Sequence, residues 1–360
     1  MVPRAGLEPA REYSHHPLKM ACLPIPPPRL FKWAINQYPI FNYLSRKRYD
    51  VKIAAMLVIQ IVVFVVSLFV VVKSADYFTE SAEKIGIALG LSPFIVGAII
   101  LSIGTSLPEL VTSIAAVLQK HSEIVVADVV GSNTTNILLV LGASLLFSKS
   151  EILRHNAAIV DLPILIFSAF FIYFAFLGEK FGLIEGVFSL AALFIYILYA
   201  INSKRIEIEE ESRKITLKEP VILILSIVFL NLGSKYAIKS VIEISKQMGI
   251  ATDVIAATVI AFGTSFPELI VSVTASKKGK LEIAIGNVVG SNIFNAFGVI
   301  GFSSLFGNLK VNESTLVYGF PFMIASSIML GFVVQNRRLS RWVGATFVLF
   351  YLFFIYKMFM

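Results

Sequence analysis

Long apolar blocks follow one another along this chain, and short polar segments separate them. Each block is continuously apolar over about 20 residues, which predicts a helix long enough to cross a bilayer core of about 30 Å. Closed β-barrels are excluded because their strands alternate apolar and polar positions. The blocks predict ten spans, in chain order 52–73, 92–119, 124–148, 157–177, 182–202, 219–242, 253–276, 283–306, 315–334 and 341–358. The predicted fold class is an all-α polytopic membrane protein with ten transmembrane helices.

A strongly charged segment divides the predicted spans into two sets of five. We therefore predict a first five-helix repeat over 51–202, a charged linker over 203–218, and a second five-helix repeat over 219–360. Residues 1–50 are rich in proline and arginine and have no apolar block of signal-peptide length. We expect this N-terminal tail to be disordered or foreign to the native protein.

The two halves resemble each other in sequence. A shift of 159 positions lays 92–147 over 251–306 without a gap, with 22 identities in 56 columns. Because each half has an odd number of spans, the second half would enter the membrane inverted relative to the first. Inverted repeats of this kind place the binding site near the bilayer midplane, between the repeats.

Composition agrees with a membrane protein. Hydrophobic residues make up 57% of the chain and charged residues 15%, against about 25% charged residues in a soluble domain. Cys22 is the only cysteine, so an internal disulfide and a cysteine metal cluster are excluded. The net charge of +8 would suggest nucleic acid in a soluble chain, but here we attribute it to membrane topology. The lipid bilayer is the expected environment, and no nucleic-acid partner is expected.

The distribution of lysine and arginine predicts the orientation, because these residues accumulate in cytoplasmic loops. With the N-terminus outside, the inner loops hold fifteen of the 31 basic residues and the outer segments hold seven. The remaining nine lie in the segment up to Lys52 and argue for the opposite orientation, but we discount them with the tail. We therefore expect a cell-membrane protein with both ends outside and the 203–218 linker in the cytoplasm.

Two pairs of polar motifs interrupt the apolar sequence. Gly-Thr-Ser-x-Pro-Glu occurs at 104–109 and 263–268, and Gly-Ser-Asn-x-x-Asn occurs at 131–136 and 290–295. A carboxylate within a membrane helix costs roughly 2.5–3.5 kcal/mol on insertion scales. Glu109 and Glu268 are therefore candidate functional residues, each donated by one half.

Spacing indicates which side chains act together. Residues four apart share a helix face, which pairs each motif threonine with its glutamate and each motif serine with its asparagine. Pro108 and Pro267 have no N–H, so the carbonyls of Gly104 and Gly263 would lose their helical partners. Carboxylate, hydroxyl, amide and carbonyl oxygens suit Na⁺ and Ca²⁺ better than zinc or copper.

Counting charges suggests exchange. One Ca²⁺ or two Na⁺ would neutralise two glutamates, and an empty ionised site would be costly to move across the midplane. A third Na⁺ held by neutral oxygens would make the exchange electrogenic. Protons are the nearest rival to sodium, because adjacent carboxylates favour protonation of one another. An H⁺/Ca²⁺ antiporter, or one for another divalent ion, therefore remains an alternative.

The paired motifs resemble the α-repeats of the cation/calcium antiporter superfamily, and most closely the sodium/calcium exchanger family in its compact prokaryotic form. The similarity covers residues 51–360. It implies a Na⁺/Ca²⁺ antiporter that works by alternating access, in which two mobile helices slide across the others. The implied side-chain ligands are Glu109, Glu268, Thr105, Thr264, Ser106, Ser265, Ser132, Ser291 and Asn136. The implied carbonyl ligands are those of Ser102 and Ala261.

Two positions depart from the family pattern. Asn295, the repeat mate of Asn136, stands where some members have aspartate, including potassium-dependent exchangers. We keep Asn295 among the candidate ligands, although its amide lowers the negative charge of the site. Asp128 stands where its repeat mate is Asn287, the residue more usual in the family. Asp128 could attract cations at the mouth of the site, or it could be a solvated residue at a helix end.

Other function classes are more distant. A cation channel could use paired motifs to line a pore, whereas an intramembrane enzyme would need further groups such as a buried histidine. The four histidines all lie in the tail or at the edges of spans, so an enzyme is not expected. We expect no cofactor, Na⁺ and Ca²⁺ as substrates, and function as a monomer.

Overall fold

A computed structural model describes residues 39–148, 157, 159–178, 180–202, 216–248, 263–335 and 339–358, with side chains from residue 56 to residue 357. Internal contacts divide the chain into two units, 1–55 and 56–360. Residues 1–38 of the predicted tail and residues 203–215 of the charged linker lie outside the described residues, so the predictions for them stay untested, whereas residues 39–50 of the tail are helical.

Helices are the only regular elements among the described residues. In chain order they are α1 (Pro39–Ala88), α2 (Pro93–Leu118), α3 (Ser122–Phe147), α4 (Asp161–Phe176), α5 (Leu183–Asn202), α6 (Lys218–Gln247), α7 (Phe266–Lys277), α8 (Leu281–Ser304), α9 (Thr315–Gln335) and α10 (Arg341–Met358). One isolated bridge joins two loops, through paired backbone hydrogen bonds of 3.1 and 2.9 Å between Phe181 and Leu309. The prediction of an all-α chain is confirmed for the described residues.

Seven of these helices are long and apolar enough to cross a membrane: α1 from Met56, α2, α3, α5, α6, α8 and α9. Helix α4 is apolar but shorter. The first ten residues of the predicted span at 253–276 lie outside the described residues. The chain is therefore a polytopic helical protein, and the full set of ten spans stays a prediction.

Two helices are longer than the apolar pattern predicts. The first span was predicted over 52–73, but α1 extends from Pro39 to Ala88, and α6 continues to Gln247 instead of residue 242. The difference arises because charged residues end a membrane span without ending a helix. In α1 the added turns carry acidic side chains that pair with a distant loop.

That loop joins α7 to α8. Nζ of Lys278 lies 2.9 Å from both Asp76 and Glu80, and Lys280 pairs with Glu83. Burial alone would lower the pKa of Lys278, but its hydrogen bonds to Asp76 and Glu80 raise it. Each partly exposed pair contributes about 0–1 kcal/mol, so together they stabilise the contact of α1 with this loop modestly.

The centre of the helix packing is α8. All of its most apolar 18-residue stretch is buried inside the protein, against 11% in α1 and 28% in α6. The outer face of α1 instead exposes apolar side chains such as Val58, Val65 and Phe69. An exposed apolar surface of this kind fits a lipid-facing helix.

Helices α2 and α8 cross at glycines. A methyl group on Gly290 would lie 2.1 Å from the carbonyl oxygen of Ala98, and one on Gly97 would lie 2.1 Å from that of Ile283. Only residues without a side chain allow two backbones to approach so closely. This crossing brings the two halves into direct contact beside the polar motifs.

Candidate cation site

The first glutamate motif lies inside a continuous helix. Pro108 interrupts the hydrogen bonding of α2 without ending the helix, and Glu109 follows it, 1% exposed. Neither carboxylate oxygen of Glu109 has a hydrogen-bond partner among the described residues. A buried carboxylate needs a proton, a hydrogen-bond donor or a cation, because burial without one is costly.

The second glutamate motif is built differently from its mate. Helix α7 begins at Phe266, so Pro267 occupies its first turn, and Thr264 lies in the preceding turn. The expectation that Thr264 and Glu268 share a helix face is therefore wrong. Proline in a first turn removes an N–H that needs no helical partner, so Pro267 does not free the carbonyl of Gly263 from a helix here.

The structure brings residues of both halves together at Glu268, which is fully buried. Oγ of Ser106 donates a hydrogen bond of 3.1 Å to Oε1 of Glu268, while Oε2 has no partner among the described residues. Glu109 follows Ser106 by three residues on α2, so the two side chains lie on neighbouring positions of the helix face that meets Glu268. Three predicted ligands, Ser106 and Glu109 from α2 and Glu268 from α7, thus share one buried region.

A second contact between the halves joins Ser132 on α3 to Thr264. Their hydroxyl oxygens lie 2.9 Å apart, and the Thr264 hydroxyl also donates to Oδ1 of Asp128 at 3.2 Å. Ser132 is buried, whereas Thr264 and Asp128 are partly exposed. Among the described residues, this chain of hydrogen bonds joins a buried hydroxyl to two partly exposed side chains.

The Gly-Ser-Asn-x-x-Asn motifs meet through their middle asparagines. Nδ2 of Asn133 donates to the backbone carbonyl of Asn292 at 3.1 Å, and Nδ2 of Asn292 donates to that of Asn133 at 3.0 Å. The two residues are 159 positions apart, and a reciprocal contact is what a two-fold relation produces locally. We did not predict this pair, although its recurrence in both motifs could have singled it out.

The last asparagine of each motif lies where an α-helix changes to π-helical turns. Asn136 begins the π-helical turns Asn136–Leu141 of α3, and Asn295 is the second residue of Phe294–Val299 in α8. Such insertions occur frequently at functional sites. The turns with Asn136 pack on α7, which carries Glu268, and those with Asn295 pack on the part of α2 that carries Glu109.

The remaining predicted ligands are buried or undescribed. Thr105 donates to the carbonyls of Leu101 and Ser102, at 3.1 and 3.3 Å. Ala261 lies outside the described residues. Several buried polar side chains have an oxygen or nitrogen without a hydrogen-bond partner among the described residues, and the predicted ligands in this set are Glu109, Glu268, Ser265, Ser291, Asn136 and Asn295.

This donor set suits a hard cation. It consists of carboxylate, hydroxyl and amide oxygens, the ligands of Ca²⁺ and Na⁺. Among the described residues no group of three His, Cys, Asp or Glu side chains is arranged to hold one metal ion. A cation between the glutamates would therefore need hydroxyl and amide oxygens as further ligands.

Comparison with known proteins agrees with the motifs. The family whose description reads "Sodium/calcium exchanger protein" matches residues 59–202 and 218–360. The chain belongs to the sodium/calcium exchanger family. Members of this family are transporters, so this chain is a membrane transporter and not an enzyme.

Relatives of this exchanger match it over most of their length. It is 34% identical to the sodium/calcium exchanger MaX1 of Methanosarcina acetivorans, over 84% of this chain and 99% of that protein. It is 30% identical to the uncharacterized membrane protein MJ0091 of Methanocaldococcus jannaschii, over 82% and 97%. The solved structure of the sodium-calcium exchanger NCX_Mj superposes with a TM-score of 0.72 at 29% identity, covering 84% and 99%.

Proposed function

We propose that this chain is a secondary active antiporter that exchanges Na⁺ for Ca²⁺ across the cell membrane by alternating access. The observation that supports this proposal most directly is the pair Glu109 and Glu268, one buried carboxylate from each half. Neither carboxylate oxygen of Glu109 has a hydrogen-bond partner among the described residues. Membership of the exchanger family and the similarity to NCX_Mj support the choice of ions.

The proposed binding site lies near the bilayer midplane. Its side-chain ligands would be Glu109, Glu268, Thr105, Thr264, Ser106, Ser265, Ser132, Ser291, Asn136 and Asn295, with the carbonyls of Ser102 and Ala261. The contacts Ser106–Glu268 and Ser132–Thr264 support this set, because each joins predicted ligands from different halves. Both carboxylates belong to one chain, so a monomer would suffice.

The proposed architecture is ten helices in two inverted repeats, with both ends outside and the 203–218 linker in the cytoplasm. The reciprocal amide contact of Asn133 and Asn292 supports a two-fold relation between the halves. The unequal contacts of Glu109 and Glu268 support alternating access, since inverted repeats that adopt different conformations open the site to one side at a time.

Flux measurement tests this proposal. Purified protein in sodium-loaded liposomes should take up ⁴⁵Ca²⁺ from a sodium-free medium, and uptake should persist when a protonophore collapses the pH gradient. Uptake that ignores the sodium gradient but follows the pH gradient would replace the proposal with H⁺/Ca²⁺ exchange. Currents too large for a cycling transporter would favour a cation channel.

A further inference from the structure

Asp128 lies in the candidate site, although neither the motifs nor the ligand set above includes it. It stands on α3 one helical turn before Ser132, and its Oδ1 accepts the hydroxyl of Thr264 at 3.2 Å. Thr264 in turn contacts Ser132 at 2.9 Å. Asp128 is therefore connected to two proposed ligands, one from each half.

Asp128 belongs to the same region as the buried glutamates. Its partner Thr264 lies four residues before Glu268 in the second glutamate motif, and Ser106 of the first motif donates to Glu268. Glu109, 1% exposed, has no partner for either oxygen among the described residues. The region thus holds three carboxylates. The hydrogen-bond donors described for Glu268 and Asp128 are neutral hydroxyl groups, which do not balance the negative charge. An imbalance of negative charge in a buried region attracts cations.

The repeat mate of Asp128 shows what a neutral residue does at this position. Asn287 is fully buried, and its Nδ2 donates to Oγ of Ser272 at 2.9 Å. The mate of Ser272 is Ser113, whose hydroxyl has no partner among the described residues. A carboxylate cannot donate in this way. Asp128 instead accepts from Thr264, which ties it to the other half.

We propose that Asp128 is a further cation-binding residue. Its carboxylate and the hydroxyls of Thr264 and Ser132 would form a first binding position at the partly exposed edge of the site. This inference rests on the proposed function. Among the described residues no three His, Cys, Asp or Glu side chains are arranged to hold one metal ion, so Asp128 would bind a cation next to the glutamate pair. The negative charge of Asp128 would compensate for the neutral amide of Asn295, which stands where some family members have aspartate.

The test is Asp128→Asn, which removes the charge but keeps an oxygen that can accept from Thr264. The matched control is Glu123→Gln on the same helix, where the side chain is 44% exposed and faces His121. We expect Asp128→Asn to raise the Ca²⁺ concentration for half-maximal sodium-driven uptake about tenfold, a factor that corresponds to about 1.4 kcal/mol. Glu123→Gln should leave it unchanged, and Asp128→Glu should restore it.

Binding measurements separate affinity from folding. Each variant is purified in detergent, and Ca²⁺ binding is titrated by calorimetry on protein that elutes as a single species. Unchanged Ca²⁺ affinity in Asp128→Asn would overturn the inference and leave Asp128 as a hydrogen-bond acceptor. Failure of the proposed function would appear separately, as an absence of sodium-driven uptake by the unsubstituted protein.

Discussion

Glu109 and Glu268 occupy equivalent positions in the two halves but have unequal partners. Glu268 accepts a hydrogen bond from Ser106, whereas Glu109 has no partner among the described residues. The equivalent donor for Glu109 would be Ser265, whose hydroxyl also lacks a described partner. One carboxylate is thus held by the opposite half and the other is left available, as expected when only one side of a site is closed.

Neutralising either glutamate should abolish exchange. Glu109→Gln or Glu268→Gln leaves only one carboxylate to bind a divalent ion. Removing a carboxylate that pairs with a buried cation costs about 2–5 kcal/mol, or about 30-fold or more in affinity. Sodium-driven ⁴⁵Ca²⁺ uptake in liposomes measures the effect, with Glu313→Gln, at an exposed position just before α9, as control. Full exchange by both site variants would remove these residues from the site.

At the scale of helices, the close crossing of α2 and α8 holds the two halves together. A methyl group on Gly290 would meet backbone atoms of Ala98 at 2.1 and 2.6 Å. Backbone atoms inside a packed helix cannot rotate away as a side chain can. The crossing therefore requires glycine at this position.

Gly290→Ala should destabilise the folded protein by about 1–3 kcal/mol or more, as other overpacked positions do. Thermal unfolding in detergent measures the loss. Gly178→Ala is the control, because a methyl group there meets only the carbonyl of Ala175 at an ordinary distance of 3.7 Å. Equal unfolding temperatures for the two variants would show that α2 and α8 separate without cost.

Much of the helical arrangement could be predicted from sequence, because long apolar blocks have few alternatives in a membrane. The start of α7 could not, since a proline in an apolar block fits both a helix interior, as at Pro108, and a first turn, as at Pro267. The motif residues were recognisable from their repetition. The partner of Asp128 was not, because a contact between residues far apart in the chain leaves no trace in local spacing.

At the scale of the whole molecule, the two halves are related in sequence but differ in contacts. Asn133 and Asn292 obey the two-fold relation, whereas the contact Ser106–Glu268 has no described counterpart. In an alternating-access transporter built from inverted repeats, we expect some contacts between the halves to be symmetric and the contacts of the ligands to differ between the halves. The second conformation would exchange the roles of the two halves.

Inverted repeats make a testable prediction about topology. After Cys22 is replaced by serine, a cysteine at Lys204 should react with an impermeant reagent only in permeabilised cells. A cysteine at Lys310, which is exposed in the loop between α8 and α9, should react in intact cells. Labelling of both positions from the same side would contradict the proposed arrangement.

Competition between the two ions tests the central claim most directly, because exchange requires Na⁺ and Ca²⁺ to use the same pair of carboxylates. Ca²⁺ binding to the purified protein would be titrated by calorimetry at increasing Na⁺ concentrations. The account predicts that the apparent Kd for Ca²⁺ rises more steeply than in proportion to Na⁺, because more than one Na⁺ replaces each Ca²⁺. Calcium affinity that does not change with sodium would contradict it.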